Sequence, residues 1–588
     1  MKYSDQLAEW LVEFGYTHCF FVAGGNIMHL LESCSRNFKC IPVVHEVAAG
    51  IAAEYFTEVS THGKAFALVT AGPGLTNIVT AIAGAYLESR ELLVLGGQAK
   101  LADLARGKVR QRGIQEVNGV DIVRPITVQS ILMDSVMERA AIARIIRATA
   151  RGRKGPIFIE IPLDVQGRDV DREKQSTQLE DRVSPFQPIE NETLDDVIYL
   201  LREAKRPVLL VGGGITRETA AKVADQLLRI GIPIMTTWNG VDRIPHNYPL
   251  NFGRPNTWGQ RSSNILLQQA DVVVALGTRL GLQQTGFNWQ EFLPVAKLIQ
   301  VDCDDAELHK GHPNVTLPIC GDANEVLKHL AATSLGDYRE WSSFCRSVRQ
   351  QIPLVEPVNQ TAEGFISPFI FVERLSRLCT SGDVIIPCSS GGAYTVMMQV
   401  FELKQGQILV NNKGLAAMGY GLSGAIGASF AANGKRTILV EGDGGFMQNL
   451  QELGTVSANN LNLKMFIFAD NGYASIRMTQ RNYFSGSYIG CDTETGLGIP
   501  KWDRLFAAYD IPLMEIGPGF ERNPEFLGRF NSYTASAFLV RIDPQQTYFP
   551  KITSRITKDG SMASNPLHLM SPELAKELAA EVMPYLKH

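Results

Sequence analysis

The chain lacks several features that would place it in a specialised class of protein. None of its nine cysteines forms a CxxC pair, which argues against a zinc site and favours reduced thiols over a disulfide framework. No apolar run approaches the roughly 20 residues that span a bilayer, so no membrane partner is expected. The first residues mix acidic and apolar side chains at helical spacing, unlike a secretion signal. Together these absences predict a cytoplasmic protein.

The chain also has no strong excess of charge. Its formal net charge is −4 and its pI is about 6.3, which gives no electrostatic reason to expect nucleic acid as a partner. What it has is length and an ordinary globular composition. With 588 residues, 45% of them hydrophobic, it is too long for one core and is expected to form about three or four domains.

Short apolar strands alternate with amphipathic helices along the first part of the chain. The strands are predicted at 19–22, 41–44, 65–70, 91–96 and 156–161. This alternation is typical of the α/β class, in which helices cover both faces of a mainly parallel sheet. Because the pattern recurs twice, we predict three Rossmann-like domains and a tail, at 1–170, 192–336, 360–550 and 551–588. A polar segment at 171–188 is predicted to be a linker.

A glycine turn follows a buried strand of the third domain. The strand at 437–440 runs into Gly442-Asp443-Gly444-Gly445, where a helix begins. Such a turn presents backbone N–H groups to a phosphate. Because the Asp443 carboxylate would repel that phosphate, we expect it to bind an intervening Mg²⁺ ion. Asp470 follows the apolar strand at 464–469, which we predict to be the neighbouring parallel strand. Ligands of α/β sheets gather at the carboxyl ends of such strands.

This spacing resembles the metal-binding signature of thiamine-diphosphate (ThDP) enzymes. The resemblance implies that ThDP and Mg²⁺ are cofactors, and that the metal ligands are Asp443, Asp470 and the Gly472 carbonyl. The family usually has Asn-Asn where this chain has Asp470-Asn471, so Asn471 is the alternative side-chain ligand. By the same resemblance, the cofactor-binding residues of this domain are Ser389, Ser390, Gly391, Met418, Gly444, Gly445 and Tyr473.

The first domain carries a second pair of motifs. His45-Glu46 follows its second strand and opens a helix, while a glycine-rich turn at 70–74 follows its third strand. Alone, Glu46 would equally suit an acid that complements a helix dipole. The pair of motifs resembles the pyrimidine-binding half of ThDP enzymes, which implies that Glu46 activates the cofactor. It also implies that Pro73 and Asn77 flank the cofactor and that Gln115 is a catalytic candidate on the substrate side.

Among ThDP enzymes, the order of motifs resembles that of the acetohydroxyacid synthases and their relatives. In that group the middle domain commonly holds FAD without a redox role. The matching positions are Gly212, Gly213, Gly214, Gly277, Arg279, Asp302 and Asp322. A glycine turn alone is weak evidence for a nucleotide, so an empty or ADP-binding domain is the alternative. The resemblance also implies a homodimer or homotetramer with active sites between subunits.

The resemblance implies decarboxylation of pyruvate and transfer of the resulting two-carbon unit to a keto acceptor. Pyruvate decarboxylases use paired histidines for proton handling, and this chain has no His-His pair, which favours carboligation. Acetolactate synthases place a Trp in the acceptor pocket where this chain has Thr479 nearby. Ile476, Arg477 and Gln480 are the candidate substrate residues.

The segments at 472–484 and 559–574 resemble a branch of the family associated with polysaccharide and nucleotide-sugar gene products. The functional model in that branch is the flavin-containing yersiniose-pathway carboligase. It implies a CDP-linked 4-keto-deoxysugar as the acceptor, in the synthesis of branched-chain sugars of O-antigen lipopolysaccharide. Acetolactate synthase and a simple 2-oxo acid decarboxylase are the alternatives.

Overall fold

The computed structural model describes residues 1–171, 186, 188–556 and 560–586. Most of the predicted linker at 171–188 lies outside the described residues. The chain divides into two units. The first comprises Met1–Pro185, Gly382–Ala393 and Val410–Arg541, and the second comprises Phe186–Ser381, Tyr394–Leu409 and Ile542–His588. No helix in the described ranges is both long enough and apolar enough to cross a membrane.

The N-terminal region forms a six-stranded parallel sheet. Its strands are β1 (Tyr16–Phe21), β2 (Lys39–Pro42), β3 (Lys64–Val69), β4 (Leu92–Gln98), β5 (Gln129–Leu132) and β6 (Pro156–Pro162). Their order in the sheet is β2-β1-β3-β4-β6-β5. The helices are α1 (Tyr3–Glu13), α2 (Met28–Asn37), α3 (Glu46–Val59), α4 (Pro73–Leu87), α5 (Gly119–Val123), α6 (Arg139–Arg147) and α7 (Leu163–Gln166). Strands β4 and β6 are buried along their whole length, as expected of a sheet covered on both faces.

The middle region forms a five-stranded parallel sheet. Its strands are β7 (Pro207–Val211), β8 (Ile234–Thr236), β9 (Val272–Leu276), β10 (Lys297–Asp302) and β11 (Leu317–Cys320). The sheet order is β11-β10-β9-β7-β8. The helices of this region are α8 (Asn191–Glu203), α9 (Arg217–Ile230), α10 (Arg261–Gln268), α11 (Leu282–Thr285), α12 (Asp305–Leu308), α13 (Ala323–Ala332) and α14 (Arg339–Gln351).

The third sheet again has six strands. They are β12 (Val384–Ile386), β13 (Ile408–Leu409), β14 (Thr437–Gly442), β15 (Leu463–Ala469), β16 (Leu513–Ile516) and β17 (Ser536–Arg541), in the order β13-β12-β14-β15-β17-β16. The helices are α15 (Pro368–Leu378), α16 (Gly391–Val400), α17 (Tyr420–Ala431), α18 (Asp443–Phe446), α19 (Leu453–Ala458), α20 (Ala474–Tyr483), α21 (Trp502–Ala508) and α22 (Pro524–Phe530). The predicted α/β class, with three mainly parallel sheets, is confirmed.

The C-terminal tail adds a short antiparallel pair, β18 (Ser554–Ile556) and β19 (Met562–Ser564), and the helix α23 (Lys576–Val582). Val582, Met583 and Leu586 are buried in the same apolar cluster as Val273 of β9. The tail therefore completes the core on one face of the five-stranded sheet.

Helices α3 and α17 of the first unit pack against each other at short range. A Cβ atom at Gly427 would lie 2.1 Å from the carbonyl oxygen of Ala52, and one at Gly424 would lie 2.6 Å from the Tyr55 ring. Glycine at these two positions of α17 is what lets the helices approach so closely. Since α3 begins at Glu46, this contact sets the position of that carboxylate.

A buried ion pair lies beside this contact, and a hydrogen bond between Glu54 and Tyr420 joins the two helices. Arg90 donates from Nη1 to Oε1 of Glu54 at 2.8 Å and from Nη2 to the carbonyl of Asn411 at 2.6 Å, while the Tyr420 hydroxyl donates to Oε2 of Glu54 at 2.7 Å. Burial raises the pKa of Glu54 to about 7, and the Arg90 guanidinium and the Tyr420 hydroxyl act in the opposite direction. The carboxylate therefore depends on these donors to stay charged.

Replacing Arg90 by Leu should destabilise the fold in a pH-dependent way. Removing one partner of a buried ion pair typically costs about 3–5 kcal/mol. Without the cation the pKa of Glu54 rises further above its unfolded value, so protonation offsets part of the loss at low pH. The free energy of unfolding should fall less at about pH 6 than at about pH 9, as measured by denaturant titration.

Arg124→Leu is the matched control, because Arg124 pairs with Asp121 at the surface. Exposed ion pairs contribute little, so this variant should unfold like the parent at both pH values. A loss in Arg90→Leu that did not vary with pH would contradict the role given to Glu54.

Candidate active site

The glycine turn and Asp470 lie at one edge of the third sheet. Strands β14 and β15 pair in parallel, from Thr437 opposite Leu463 to Gly442 opposite Phe468. Asp443 and Asp470 therefore follow the ends of adjacent strands, and the predicted pairing of these strands is confirmed. Ligands of α/β sheets bind at such carboxyl ends.

The Asp443 carboxylate is buried among backbone donors. Its Oδ1 accepts from the Gly444 N–H at 2.7 Å, and the Gly472 N–H lies 3.2 and 3.0 Å from its two oxygens. The side chain of Asp470, which is also buried, lies beside it. Burial raises the pKa of Asp443 to about 6, and the N–H donors act in the opposite direction.

This donor set suits a Mg²⁺ ion. Two buried carboxylates in contact repel each other unless a proton or a cation lies between them. Mg²⁺ takes hard oxygen ligands and is commonly shared between one or two carboxylates and substrate phosphates. In the described part of the chain no cluster of three or more His, Cys, Asp or Glu forms a metal site. Asp443 and Asp470 would therefore need carbonyl and phosphate oxygens to complete a coordination shell.

The turn after Asp470 leads the backbone close to a neighbouring loop. Gly472 has φ +113°, and a Cβ there would lie 2.5 Å from the carbonyl oxygen of Cys491, so only glycine suits the position. The Asn471 side chain accepts a hydrogen bond from Thr493 at 3.2 Å, whereas the Asp470 side chain faces Asp443. This arrangement favours Asp470 over Asn471 as a ligand.

The other predicted cofactor residues of this region lie around the same turns. Ser389 is buried and donates to the Ala417 carbonyl, while Ser390 precedes Gly391, where α16 begins with φ +77° and open space at its Cα. Met418 is partly exposed. Gly444 and Gly445 are closely packed. A Cβ at Gly444 would lie 2.4 Å from the Tyr473 ring, and one at Gly445 would lie 3.1 Å from the Glu441 side chain.

The predicted residues of the first domain form two contacts. Glu46 is buried at the start of α3, and its Oε2 accepts from the Asn77 side chain at 2.9 Å. Pro73 begins α4 directly after Gly72, whose φ is +64° and whose Cα packs against the Gln115 carbonyl. The Gln115 side chain is exposed. The fold thus brings Glu46 to Asn77, and the segment carrying Gln115 to the glycine turn.

Sequence reasoning missed Glu452, a buried acid that holds the backbone before Glu46. Its Oε1 accepts from the N–H groups of Val44 at 3.1 Å and His45 at 3.0 Å, and its Oε2 accepts from the Thr455 hydroxyl at 2.7 Å. Burial raises the pKa of Glu452, against the effect of these donors. No local pattern could have revealed partners 407 and 408 residues away.

Glu116 has a similar role in the loop that ends at Gln115. Its carboxylate accepts from the backbone N–H groups of Ala105 at 2.5 Å, Arg112 at 3.0 Å and Gly113 at 2.9 Å. Burial opposes ionisation, but these three donors prevail and lower the pKa of Glu116. The only signal in the sequence was its position beside Gln115.

The three candidate substrate residues on α20 do not share one environment. Ile476 is 49% exposed. Gln480 exchanges two hydrogen bonds with the Ile489 backbone, each 3.1 Å long. Arg477 is only 4% exposed and donates to the carbonyls of Asp470 and Asn471.

In the second unit, the glycines at the predicted FAD positions pack against one another. A Cβ at Gly212 would lie 2.2 Å from the Gly277 carbonyl oxygen, and Gly214 also contacts Gly277, whose φ is +62°. Gly213 packs against Asn239. Close approach of two backbone turns therefore explains these glycines without a ligand.

The polar residues at the predicted FAD positions differ in their contacts. Asp302 is buried and accepts from the Asp304 N–H at 3.0 Å. Asp322 caps α13 by accepting from the Asn324 N–H at 2.9 Å. Arg279 makes no side-chain hydrogen bond or ion pair with the residues that the structure describes, so its guanidinium is available to an anion.

Three protein-family models match this chain. They are the N-terminal TPP binding domain at 1–122, the central domain at 194–330 and the C-terminal TPP binding domain at 390–526 of thiamine pyrophosphate enzymes. A relative with 30% identity covers 87% of the chain, the probable acetolactate synthase large subunit of Methanocaldococcus jannaschii. The chain belongs to the thiamine pyrophosphate enzyme family. It is a ThDP-dependent enzyme of the carboligase and decarboxylase class, since thiamine pyrophosphate is ThDP.

Other relatives in this family are similar over most of their length. Acetolactate synthase isozyme 1 large subunit of Escherichia coli is 28% identical over 93% of this chain and 95% of its own. The chloroplastic acetolactate synthase 1 of Zea mays is 28% identical over 88% of this chain and 81% of its own. These names favour the acetolactate synthase alternative over the sugar-transferring expectation.

Replacing Glu452 by Leu should loosen the start of α3 and weaken ThDP binding. The change leaves the part-buried Val44 and His45 N–H groups without their acceptor, and a fully buried group in that state would cost about 1–3 kcal/mol. We expect a lower free energy of unfolding and a higher Kd for ThDP, measured by calorimetry.

Glu452→Gln should lose less, because its amide oxygen can still accept from the same donors. Equal ThDP affinity in the parent and both variants would mean that Glu452 supports only the fold and does not position Glu46.

Proposed function

We propose that the protein is a carboligase of the acetolactate synthase type. It would decarboxylate one pyruvate and join the two-carbon unit to the keto group of a second 2-oxo acid. The observation that carries this proposal is similarity to acetolactate synthases over 87–93% of the chain, together with a buried carboxylate, Glu46, at the start of α3. The absence of a His-His pair in the sequence supports carboligation over simple decarboxylation.

We expect one group of residues to bind the pyrimidine ring of the cofactor and another to bind its diphosphate. Bound ThDP supplies the nucleophilic carbon and the electron sink that decarboxylation requires. Glu46, which accepts a hydrogen bond from Asn77, would hold a proton at the pyrimidine ring. Asp443, Asp470 and the Gly472 carbonyl would hold Mg²⁺, which would neutralise charge on the diphosphate.

We propose three domains, at 1–170, 192–336 and 360–550. The first would bind the pyrimidine ring of the cofactor, the second is the middle domain, and the third would bind the diphosphate. The ranges matched by the family models support this division.

The acceptor expected from the sequence, a CDP-linked 4-keto-deoxysugar, is not indicated by the names of the relatives described above. One observation keeps it as a second candidate. Thr479, near the position where acetolactate synthases carry Trp, is small and exposed on α20, which leaves room for a bulkier acceptor.

The ratio of CO₂ released to pyruvate consumed tests the proposed reaction. Joining two pyruvates releases one CO₂ for every two pyruvates and yields acetolactate, whereas simple decarboxylation releases one CO₂ for each pyruvate and yields acetaldehyde. We expect the first result from protein loaded with ThDP and Mg²⁺, with products identified by mass spectrometry. Glu46→Gln should lower the rate about 10²–10⁴-fold, as loss of a proton-transfer group does.

Adding a CDP-linked 4-keto-deoxysugar supplies the contrasting arm of this experiment. Sugar that gains an acetyl unit at one CO₂ for each pyruvate would favour the second candidate, and no CO₂ at all would exclude pyruvate as the donor.

We also propose that the active site lies between subunits of at least a homodimer. Exposed apolar side chains near both half-sites support this, at Val44, Ile114, Phe484 and Ile489. Inactive Glu46→Gln and Asp443→Asn proteins should then regain activity when refolded together.

We propose that the middle region binds FAD, and that Arg279 contacts its diphosphate. The guanidinium of Arg279 has no hydrogen-bond or ion-pair partner among the described residues, which supports this, since a charge-assisted hydrogen bond contributes about 1.5–3 kcal/mol. Protein incubated with FAD should show flavin absorbance after gel filtration, and Arg279→Ala should bind FAD roughly 10–100-fold more weakly.

Arg229→Ala is the matched control, because Arg229 is an exposed arginine of the same sheet's covering helix α9. Flavin uptake that is equal in both variants would exclude Arg279 as a contact, and no uptake by the parent protein would exclude FAD.

A further inference from the structure

Arg477 is a buried cation on the first turn of α20. It is 4% exposed, and its Nη1 donates to the Asn471 carbonyl at 3.1 Å while its Nη2 donates to the Asp470 carbonyl. Both acceptors belong to the turn that carries the proposed metal ligands Asp470 and Gly472. The guanidinium therefore binds the main chain of this turn from inside the protein.

Asp492 lies on the other side of this guanidinium. Its Oδ2 is 3.8 Å from Nη1 of Arg477, and its Oδ1 accepts from the Thr495 N–H at 3.0 Å and from the Thr495 hydroxyl at 2.8 Å. The Thr495 hydroxyl and the Arg477 charge lower the pKa of Asp492. A fixed carboxylate thus stabilises the buried guanidinium.

The loop that contains Asp492 also contacts the metal turn directly. The Tyr473 N–H donates to the Cys491 carbonyl at 2.8 Å, and the close approach of that carbonyl to Gly472 leaves no room for a Cβ. Glycine gives the turn a left-handed conformation but no stiffness of its own. Hydrogen bonds from outside the turn must therefore hold its carbonyls in place.

We propose that Arg477 is a positioning residue of the metal turn. With Asp492 it holds the two carbonyls before Gly472, so that the Asp470 carboxylate and the Gly472 carbonyl point to one ion. The planar fork of arginine reaches two carbonyls and a carboxylate at once, whereas lysine offers a single point charge. This role deepens the proposed Mg²⁺ site and rests on it, and it differs from the substrate contact expected from the sequence.

The test measures how much Mg²⁺ the protein needs to bind ThDP. Partners that orient metal ligands typically change metal affinity 10–100-fold. Arg477→Gln should therefore raise the Mg²⁺ concentration for half-maximal ThDP binding by about 10–100-fold, measured by calorimetry. Arg477→Lys should lie between this variant and the parent. At saturating Mg²⁺, the KM for pyruvate should change by less than about twofold, because no substrate contact is lost.

Two further variants complete the experiment. Arg481→Gln, one turn further along α20, should keep the parent's Mg²⁺ dependence. Asp492→Asn keeps Oδ1 as the acceptor of the Thr495 bonds and replaces the charged Oδ2, which faces Arg477, by a neutral NH2 group, so it should shift the Mg²⁺ dependence in the same direction as Arg477→Gln. If Arg477→Gln does not fold, as judged by its thermal transition, the Mg²⁺ dependence of Asp492→Asn and Arg477→Lys tests the proposal instead.

Unchanged Mg²⁺ dependence in the folded variants would overturn this inference alone. A raised KM for pyruvate with unchanged Mg²⁺ dependence would overturn it in favour of a substrate contact. Parent protein that binds ThDP without any Mg²⁺ requirement would overturn the proposed metal site, and this inference with it.

Discussion

Two carboxyl groups, those of Asp443 and Asp470, are buried side by side at the ends of adjacent strands. Keeping carboxylates charged away from water is the constraint around which this part of the chain is built. Backbone N–H groups of Gly444 and Gly472 offset part of that cost, and a divalent cation would offset the rest. This constraint explains the close packing of the turns at Gly444 and Gly472, because N–H groups can converge on a carboxylate only where the backbone folds tightly.

Buried acids that bind main-chain N–H groups recur through the first unit. Glu452 holds the backbone before Glu46, and Glu116 holds the loop that ends beside Gly72. In each case a carboxylate determines where a backbone segment lies, and that segment carries the candidate catalytic side chain. The positions of these candidate residues are thus set by acids that bind only the backbone beside them.

The fold class and the pairing of β14 with β15 were predictable, because buried parallel strands are nearly continuous apolar runs. Strand β5 was missed, since its four residues are only half-buried and carry no such run. The helix expected after Asp443 was also only partly correct, because Asn449 leaves helical geometry between α18 and α19. The burial of Arg477 depends on Asp492, and no spacing in the sequence indicates that a charged residue will be enclosed in this way.

The middle region shows why a glycine motif is weak evidence for a nucleotide. Gly212 and Gly277 are required because two backbone turns touch, and this requirement holds whether or not a ligand is bound. Asp302 and Asp322 are likewise engaged with neighbouring N–H groups. A cation whose charge no neighbour satisfies is more informative, because burial or ordering of such a group is costly without an anion. Among the predicted positions, only Arg279 has no hydrogen-bond or ion-pair partner for its side chain in the part of the chain that the structure describes. The argument for a bound dinucleotide therefore depends on one side chain and not on the glycines.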